Sequence, residues 1–293
     1  MLAQQLANGI ALGSVYALFA LGFTLVFGVL EVINLSQGAI AMFGAFFALV
    51  AVTALGTGIY TAMALAVLGA AILGVLIDRL ALAPLRARKA PHLAPMIATI
   101  GITIFLTSLA QGLFGAQVSR FPIGLVPIRI FEVGPFQVTQ LQLVIVAIAA
   151  GLMVALLLLL NRTRLGTAIR AVAESPRAAA LLGIDVERIY LLTAAVTGAL
   201  GGAAGVLIGL SFNAISPFMG EPILLKGITV VILGGMGDPK GAMVGGVLLG
   251  LVEVLSVAYL SSDLRDAIAF GLLFLILVVR PQGLFGRRQA RKA

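Results

Sequence analysis

The stretch Val32-Ile-Asn34-Leu-Ser36-Gln37-Gly38-Ala39, continued without one charged residue as far as Ile77, decides the class of this chain. It is too long for a single membrane span of about 20 apolar residues. Gly56-Thr57-Gly58 divides it, which predicts spans near Ala39–Leu55 and Tyr60–Leu80. Upstream, an apolar run over about Leu6–Val29 ends at Glu31 and the polar cluster Asn34, Ser36, Gln37. Downstream, further apolar runs are expected near Met96–Phe114, Gln140–Leu160, Ile189–Leu210, Ala242–Tyr259 and Ala267–Val279. Ile223–Leu233 is apolar but short for a bilayer. Gln117–Thr139, which contains Pro and Gly, reads as an extramembrane connection.

Composition agrees with that reading. Of 293 residues, 61% are hydrophobic and 10% charged, against about 25% charged in soluble domains. Mean hydropathy is +1.17, leaving too few polar side chains to cover a water-facing globule. The expected fold is all-α: a polytopic integral membrane protein of about eight or nine transmembrane or re-entrant helices. It forms one transmembrane domain over residues 1–293. The absence of cysteine removes disulfide scaffolds, thiolate metal sites and cysteine nucleophiles. A lone His92 argues against a histidine-built metal site or a Ser–His protease, so no metal or catalytic residue is expected. Met1 to Gly9 carries no Lys or Arg, so this segment is expected to stay as part of the first span rather than act as a cleaved signal.

The net charge of +8 is clustered between apolar runs. Arg86, Arg88 and Lys89, five arginines in residues 161–188, and five basic residues in the tail 280–293 hold 13 of the 19 Lys and Arg. The positive-inside rule places all three segments on the cytoplasmic side and accounts for the charge without nucleic acid. Gly234–Gly241 is then expected at that same side. With nine spans the N-terminus lies outside. Glycines recur at small-xxx-small spacing in Gly198/Gly202, Gly201/Gly205/Gly209, Gly9/Gly13 and Gly246/Gly250. In lipid such spacing lets helix backbones approach closely, within the chain or across a subunit interface.

Energy coupling has to come from elsewhere. The four lysines precede Ala90, Gly227, Gly241 and Ala293, so no P-loop exists and no cofactor is expected on this chain. The longest polar stretch, residues 161–188, instead reads as a cytoplasmic docking element. A short helix is expected over Leu165–Ala173, then Ser175 as N-cap and Pro176 as first helical residue of a second helix ending at Gly183. The alternative for this stretch is an amphipathic loop resting on anionic lipid headgroups.

Arg177-Ala178-Ala179-x-x-x-Gly183 resembles the Glu-Ala-Ala-x-x-x-Gly loop of bacterial ABC-importer permeases, with Arg177 in place of the Glu and without the later Ile and Leu-Pro at their usual spacing. Gly9-Ile-Ala-Leu-Gly-Ser-Val-Tyr-Ala-Leu18, Val32-Ile-Asn-Leu-Ser36, Arg162-Thr-Arg-Leu-Gly166, Leu181-Leu-Gly-Ile184, Leu233-Gly-Gly-Met-Gly237 and Arg280-Pro-Gln-Gly-Leu-Phe285 extend the likeness from end to end. Together they resemble the LivH-type permease subunit of branched-chain amino acid ABC transporters. The resemblance implies a multi-pass protein of the bacterial inner membrane, working with a second homologous permease subunit, two cytoplasmic ATPase subunits and a periplasmic substrate-binding protein. It also implies that Glu174 to Gly183, with Glu174, Arg177, Ala178, Ala179 and Gly183, couples ATPase closure to helix motion. Urea, short amides or other amino acids are alternative cargoes, and a stand-alone secondary transporter or channel is the alternative class.

Two polar interruptions of apolar sequence are candidates for the substrate path: Asn34, Ser36 and Gln37, and the Gly234–Gly241 segment with Gly234 and Gly235. Both also fit ordinary tight connections at the membrane surface. Lys226 and Glu253 are the ionisable groups deepest in the expected spans. Such charges line a cavity or pair with each other, and Lys226 has Glu221 and Glu253 as candidate partners.

Overall fold

The structure, a computed structural model, describes residues 2–30, 32–91, 93–122, 130–133, 136–280 and 282–286. His92 and the part of the basic tail beyond Gly286 lie outside the described residues. The helices are α1 (Leu2–Leu30), α2 (Gln37–Leu55), α3 (Ile59–Ile77), α4 (Ala83–Ala87), α5 (Leu93–Phe114), α6 (Gln140–Arg162), α7 (Arg164–Glu174), α8 (Pro176–Leu181), α9 (Val186–Phe212), α10 (Gly220–Gly234), α11 (Pro239–Tyr259) and α12 (Arg265–Val279). A π-helical turn, Asp78–Leu82, joins α3 to α4, and a 3-10 turn, Ser262–Leu264, precedes α12. Within the expected loop Gln117–Thr139 lies an antiparallel hairpin, β1 (Ile130–Val133) on β2 (Phe136–Thr139), in the register Ile130↔Thr139 to Val133↔Phe136. Thr139 then caps α6 reciprocally with Gln142.

Among the described residues, seven segments are long and apolar enough to cross a membrane: α1, α2, α3 through α4, α5, α6, α9 and α11. At 15 residues each, α10 and α12 reach only about 22 Å, short of a hydrocarbon core of about 30 Å. Helix α10 reaches its depth because the chain re-enters. After α9, residues 213–219 turn back into the bundle, pinned by the bridge Ser119↔Ile215 and by Asn213 Oδ1 accepting from Phe121 N at 3.0 Å.

Glycine sets the packing. Cβ atoms on Gly13 or Gly250 would run into the facing backbone, and one on Gly246 would meet Ala17, so α1 and α11 cross at backbone contact. Gly202 and Gly205 give α9 the same closeness to α2, and Gly198 closeness to α3. The small-xxx-small repeats therefore close helix contacts within the chain. Central to the bundle is α1, buried from Val15 to Val26 and touching α6, α9, α10 and α11. By contrast α5 and α12 expose most of their apolar side chains, among them Ile97, Phe105, Leu113 and Phe274.

The ends of the bundle differ in charge. Arg86 reaches Glu187 at the start of α9, and Asn161, Arg170, Lys240 and Gln282 border one cleft. The loop after α4, helices α7 and α8, the α10–α11 turn and the residues after α12 thus share one end. Gln5, Thr139, Phe212 and Arg265 meet at the other.

Candidate functional site

Helices α7 and α8 form a bent knob. Thr163 Oγ1 accepts from Gly166 N at 3.0 Å, capping α7, and a Cβ on Gly166 would overlap the carbonyls of Leu159 and Leu160, so α7 folds tightly against the end of α6. Ile169 and Val172 are buried, so α7 docks onto the bundle with its apolar stripe. Ser175 Oγ accepts from Ala178 N at 3.3 Å with Pro176 at the first helical position, as the sequence predicts. Gly183 at φ +82° reverses the chain, and Ile184 N donates back to Ala179 O at 3.1 Å. Glu174, Arg177, Ala178 and Gly183 are exposed, whereas Ala179 is buried and anchors α8 to the protein. Leu181 and Leu182 are 89% and 80% exposed. Sequence reading passed over this pair as part of a motif. Two adjacent leucines before a helix-stopping glycine were the available signal.

The first polar interruption lies deep. Gln37 Nε2 donates to Thr197 O at 2.8 Å, and Thr197 is near the middle of α9. The chain therefore leaves α1, returns into the bundle, and starts α2 at mid-depth beside Gly22, Gly201 and Gly220. Asn34 Oδ1 accepts from Ser36 N at 3.1 Å and from Ser36 Oγ at 2.6 Å, while Leu35 is held by Thr99 and Thr103 of α5. Asn34, Ser36 and Gln37 are all buried, and Gln37 Oε1 has no hydrogen-bond partner among the described residues. Non-helical backbone at this depth needs such internal partners. A second re-entry, residues 213–219, meets it where Gly38 faces Gly220. Sequence reading left open that Ile223–Tyr259 re-enters but did not place the turn at residues 213–219, to which Pro217 and the shortness of the following apolar run pointed.

Gly234 and Gly235 are elsewhere, at the α10–α11 turn of the knob end. Gly234 packs on Gly241, Gly235 takes φ +106°, and Asp238 Oδ1 accepts from Lys240 N at 2.8 Å to cap α11. Leu284 and Phe285, at the end of the Arg280–Phe285 motif, close this turn. Leu284 N and Phe285 N donate to Leu233 O and Gly234 O at 2.9 and 3.0 Å, satisfying carbonyls that the end of α10 leaves open.

Lys226 and Glu253 do meet. Lys226 Nζ lies 2.7 Å from Glu253 Oε1, and the same oxygen accepts from Tyr16 Oη at 3.1 Å and from Arg265 Nε. Lys226 Nζ also donates to Tyr16 Oη at 3.2 Å and lies 3.6 Å from Asp266. Glu253 is fully buried; Glu221 is exposed and forms no ion pair with Lys226. Tyr16 and Arg265 were not foreseen as partners, since nothing in the spacing places the start of α12 beside the middle of α1.

Among the described residues, two larger clefts open beside α1. The one at the knob end, of about 1020 Å³, is bordered by Gly28, Leu160, Arg170 and Lys240. The one at the hairpin end, of about 410 Å³, is bordered by Asn8, Gln142, Glu253 and Arg265.

At the knob end a further ion cluster ties α9 to α3. Arg86 Nη1 lies 2.7 Å from the buried Asp78 Oδ1 and Nη2 3.1 Å from Glu187 Oε2, with the guanidinium 4.6 Å from the Tyr190 ring centroid. The π-turn at Asp78 brings Asp78 and Arg86 together across the bend. Arg86→Ala leaves Asp78 buried without its counter-ion, a loss of about 3 kcal/mol. The expected result is a lower unfolding temperature of the purified chain, whereas Arg88→Ala, in the exposed loop, leaves it unchanged.

Comparison with known proteins agrees with this architecture. Residues 5–277 match the family described as branched-chain amino acid transport system, permease component. The chain is 37% identical to the high-affinity branched-chain amino acid transport system permease protein LivH of Escherichia coli (strain K12), over 99% of this chain and 97% of that one. It is 36% identical to BraD of Pseudomonas aeruginosa, over the same shares. It is 32% identical to a probable LivH of Methanocaldococcus jannaschii, over 92% and 84%. No solved structure matches. With a family match along nearly its whole length and an all-helical bundle of membrane-crossing length, this chain belongs to the branched-chain amino acid transport permease family and is a multi-pass membrane protein.

Proposed function

We propose that this chain is the membrane-spanning subunit of an ATP-driven importer that carries leucine, isoleucine and valine across a bacterial inner membrane. The observation that carries the reading is the knob: a capped, six-residue helix held by buried Ala179, offering Leu181, Leu182 and Arg177 to a partner at the basic end of the bundle. A chain without a P-loop needs such a surface to receive work. Two ATPase subunits on the cytoplasmic face would grip the knob of this chain and that of a homologous partner permease. A periplasmic binding protein would deliver the amino acid to the hairpin end. The relatives' names support the cargo.

Closure of the ATPases would move α8. Gly183 passes the chain almost directly to α9, whose first turn is clamped to α3 through Glu187, Arg86 and Asp78, and whose middle holds Gln37. Displacing α9 therefore displaces the α2 re-entry, which is the kind of discrete packing change that gates a path. The test is uptake into vesicles holding the complete importer. ATP-dependent accumulation of leucine is expected, with little of urea or acetamide. Leucine uptake by the chain in vesicles free of any ATPase overturns the reading in favour of a secondary transporter.

Gly183→Val gives a further prediction. A Cβ there meets nothing within 4 Å, so the bundle tolerates the side chain, but φ +82° costs a β-branched residue about 1 to 2 kcal/mol. The knob reorients, and ATP-driven uptake falls at least about tenfold while the amount of folded chain in the membrane stays the same.

A further inference from the structure

We propose that the cleft at the hairpin end is a transit site for a zwitterionic amino acid, which inserts into the Arg265–Glu253 ion pair; this rests on the import function proposed above and specifies where its cargo first enters the permease. Arg265 borders the cleft, is about one-third exposed, and spends only Nε on Glu253, while Phe212 backs the guanidinium at 5.4 Å. A further polar neighbour of Arg265 is Tyr16, with which it shares a side-chain hydrogen bond. A guanidinium held at one edge and stacked on a ring presents the fork that matches a carboxylate.

Glu253 supplies the complementary half. It is fully buried, the hydrogen bonds to its carboxylate all fall on Oε1, and Oε2 has no partner among the described residues. An unpartnered carboxylate oxygen in the interior of a membrane protein is costly, and an ammonium group is the donor that would satisfy it. The ligand's carboxylate draws Arg265 into the cleft, and its ammonium enters the space beside Glu253 that Arg265 vacates, where it supplies the donor that Oε2 lacks. A zwitterion brings one charge of each sign and preserves the charge balance of the cluster. An anion or a cation of the same shape leaves an uncompensated charge in a low-dielectric site. Leu12, Ile145 and Val257 add aliphatic surface to the same cleft, and about 410 Å³ is ample for one small ligand.

The native chain contains no cysteine, so Val257→Cys puts a single thiol at the cleft for labelling by a water-soluble methanethiosulfonate in vesicles holding the complete importer. L-Leucine at millimolar concentration is expected to slow labelling about threefold or more. Leucinamide, which keeps only the cation, and 4-methylpentanoate, which keeps only the anion, are expected to have little effect. In a Val257→Cys background, Arg265→Gln and Glu253→Gln should each raise the leucine concentration needed for protection about tenfold or more without blocking labelling. Arg265→Lys, which keeps the charge but not the fork, provides the readout should Arg265→Gln not accumulate. Equal protection by all three compounds, none by leucine, or unchanged protection in the Arg265 and Glu253 variants overturns the proposal. So does the failure of both Val257→Cys and Ala258→Cys to react, since the cleft is then closed to solutes. Leucine uptake by the unsubstituted importer without leucine protection refutes the transit site alone. ATP-driven uptake of a different cargo with no leucine uptake refutes the transport reading instead.

Discussion

Gly205→Leu is expected to abolish folding of the purified chain, measured as loss of the monodisperse species in detergent. A Cβ at position 205 would fall inside the carbonyl of Ala41 on α2, and that obstacle is backbone, not a side chain that can rotate away. Nor can α9 retreat, because Gly198 and Gly202 pack α9 at similar closeness against Ala70 of α3. Parting the helices would also pull Gln37 from Thr197 O and leave a buried amide without its partner. Overpacking of this kind costs at or above about 3 kcal/mol, a large part of the stability of a typical domain. Gly205→Ala should fall between wild type and Gly205→Leu. Gly151→Leu on α6, where a Cβ meets nothing within 4 Å, is expected to behave as wild type. Equal stability of the Gly205 and Gly151 leucine variants would contradict the packing described above.

Replacing Leu181 and Leu182 together with Asp is expected to strip the ATPase subunits from the importer while leaving the permease folded. Both side chains project from the end of α8 and the residue that caps it, with almost all of their surface exposed, so the isolated chain loses little by the change. Burying a leucine against a partner is worth about 1.5 to 3 kcal/mol, and two carboxylates in a desolvated groove add a penalty of their own. Removing both leucines should weaken the association about 100-fold or more. Co-purification of the ATPases and ATP-driven uptake read this directly, and size-exclusion behaviour of the permease serves as the folding control. A double variant that still retains its ATPases would show that the knob is not their docking point.

Much of the bundle can be read along the chain because its causes are local. Seven apolar stretches of crossing length, the Gly56–Gly58 break, the Ser175-Pro176 start of α8 and the Gly183 stop depend on neighbours within a few residues, through propensity, capping and left-handed glycine geometry. The meeting of the loop after α4 with the 161–188 stretch at one end, among the described residues, is likewise written into the clustering of basic residues. The Lys226–Glu253 pair was one of two options, because a spacing of 27 residues across a helical hairpin constrains distance but not rotation.

What the sequence by itself determined is the class of the molecule: an uncharged stretch from Val32 to Ile77, glycines where helices must touch, and a polar elbow between two spans. Tertiary structure alone decided how those helices lie across each other. It placed Gln37 on the middle of α9, turned residues 213–219 back toward Gly38, and brought Tyr16, Lys226, Glu253 and Arg265 from four helices into one cluster. The physical reason is that span formation follows from the transfer energy of each segment taken separately, whereas re-entry and charge pairing depend on which faces of distant helices are opposed. That choice is set by close packing among glycines far apart in the chain.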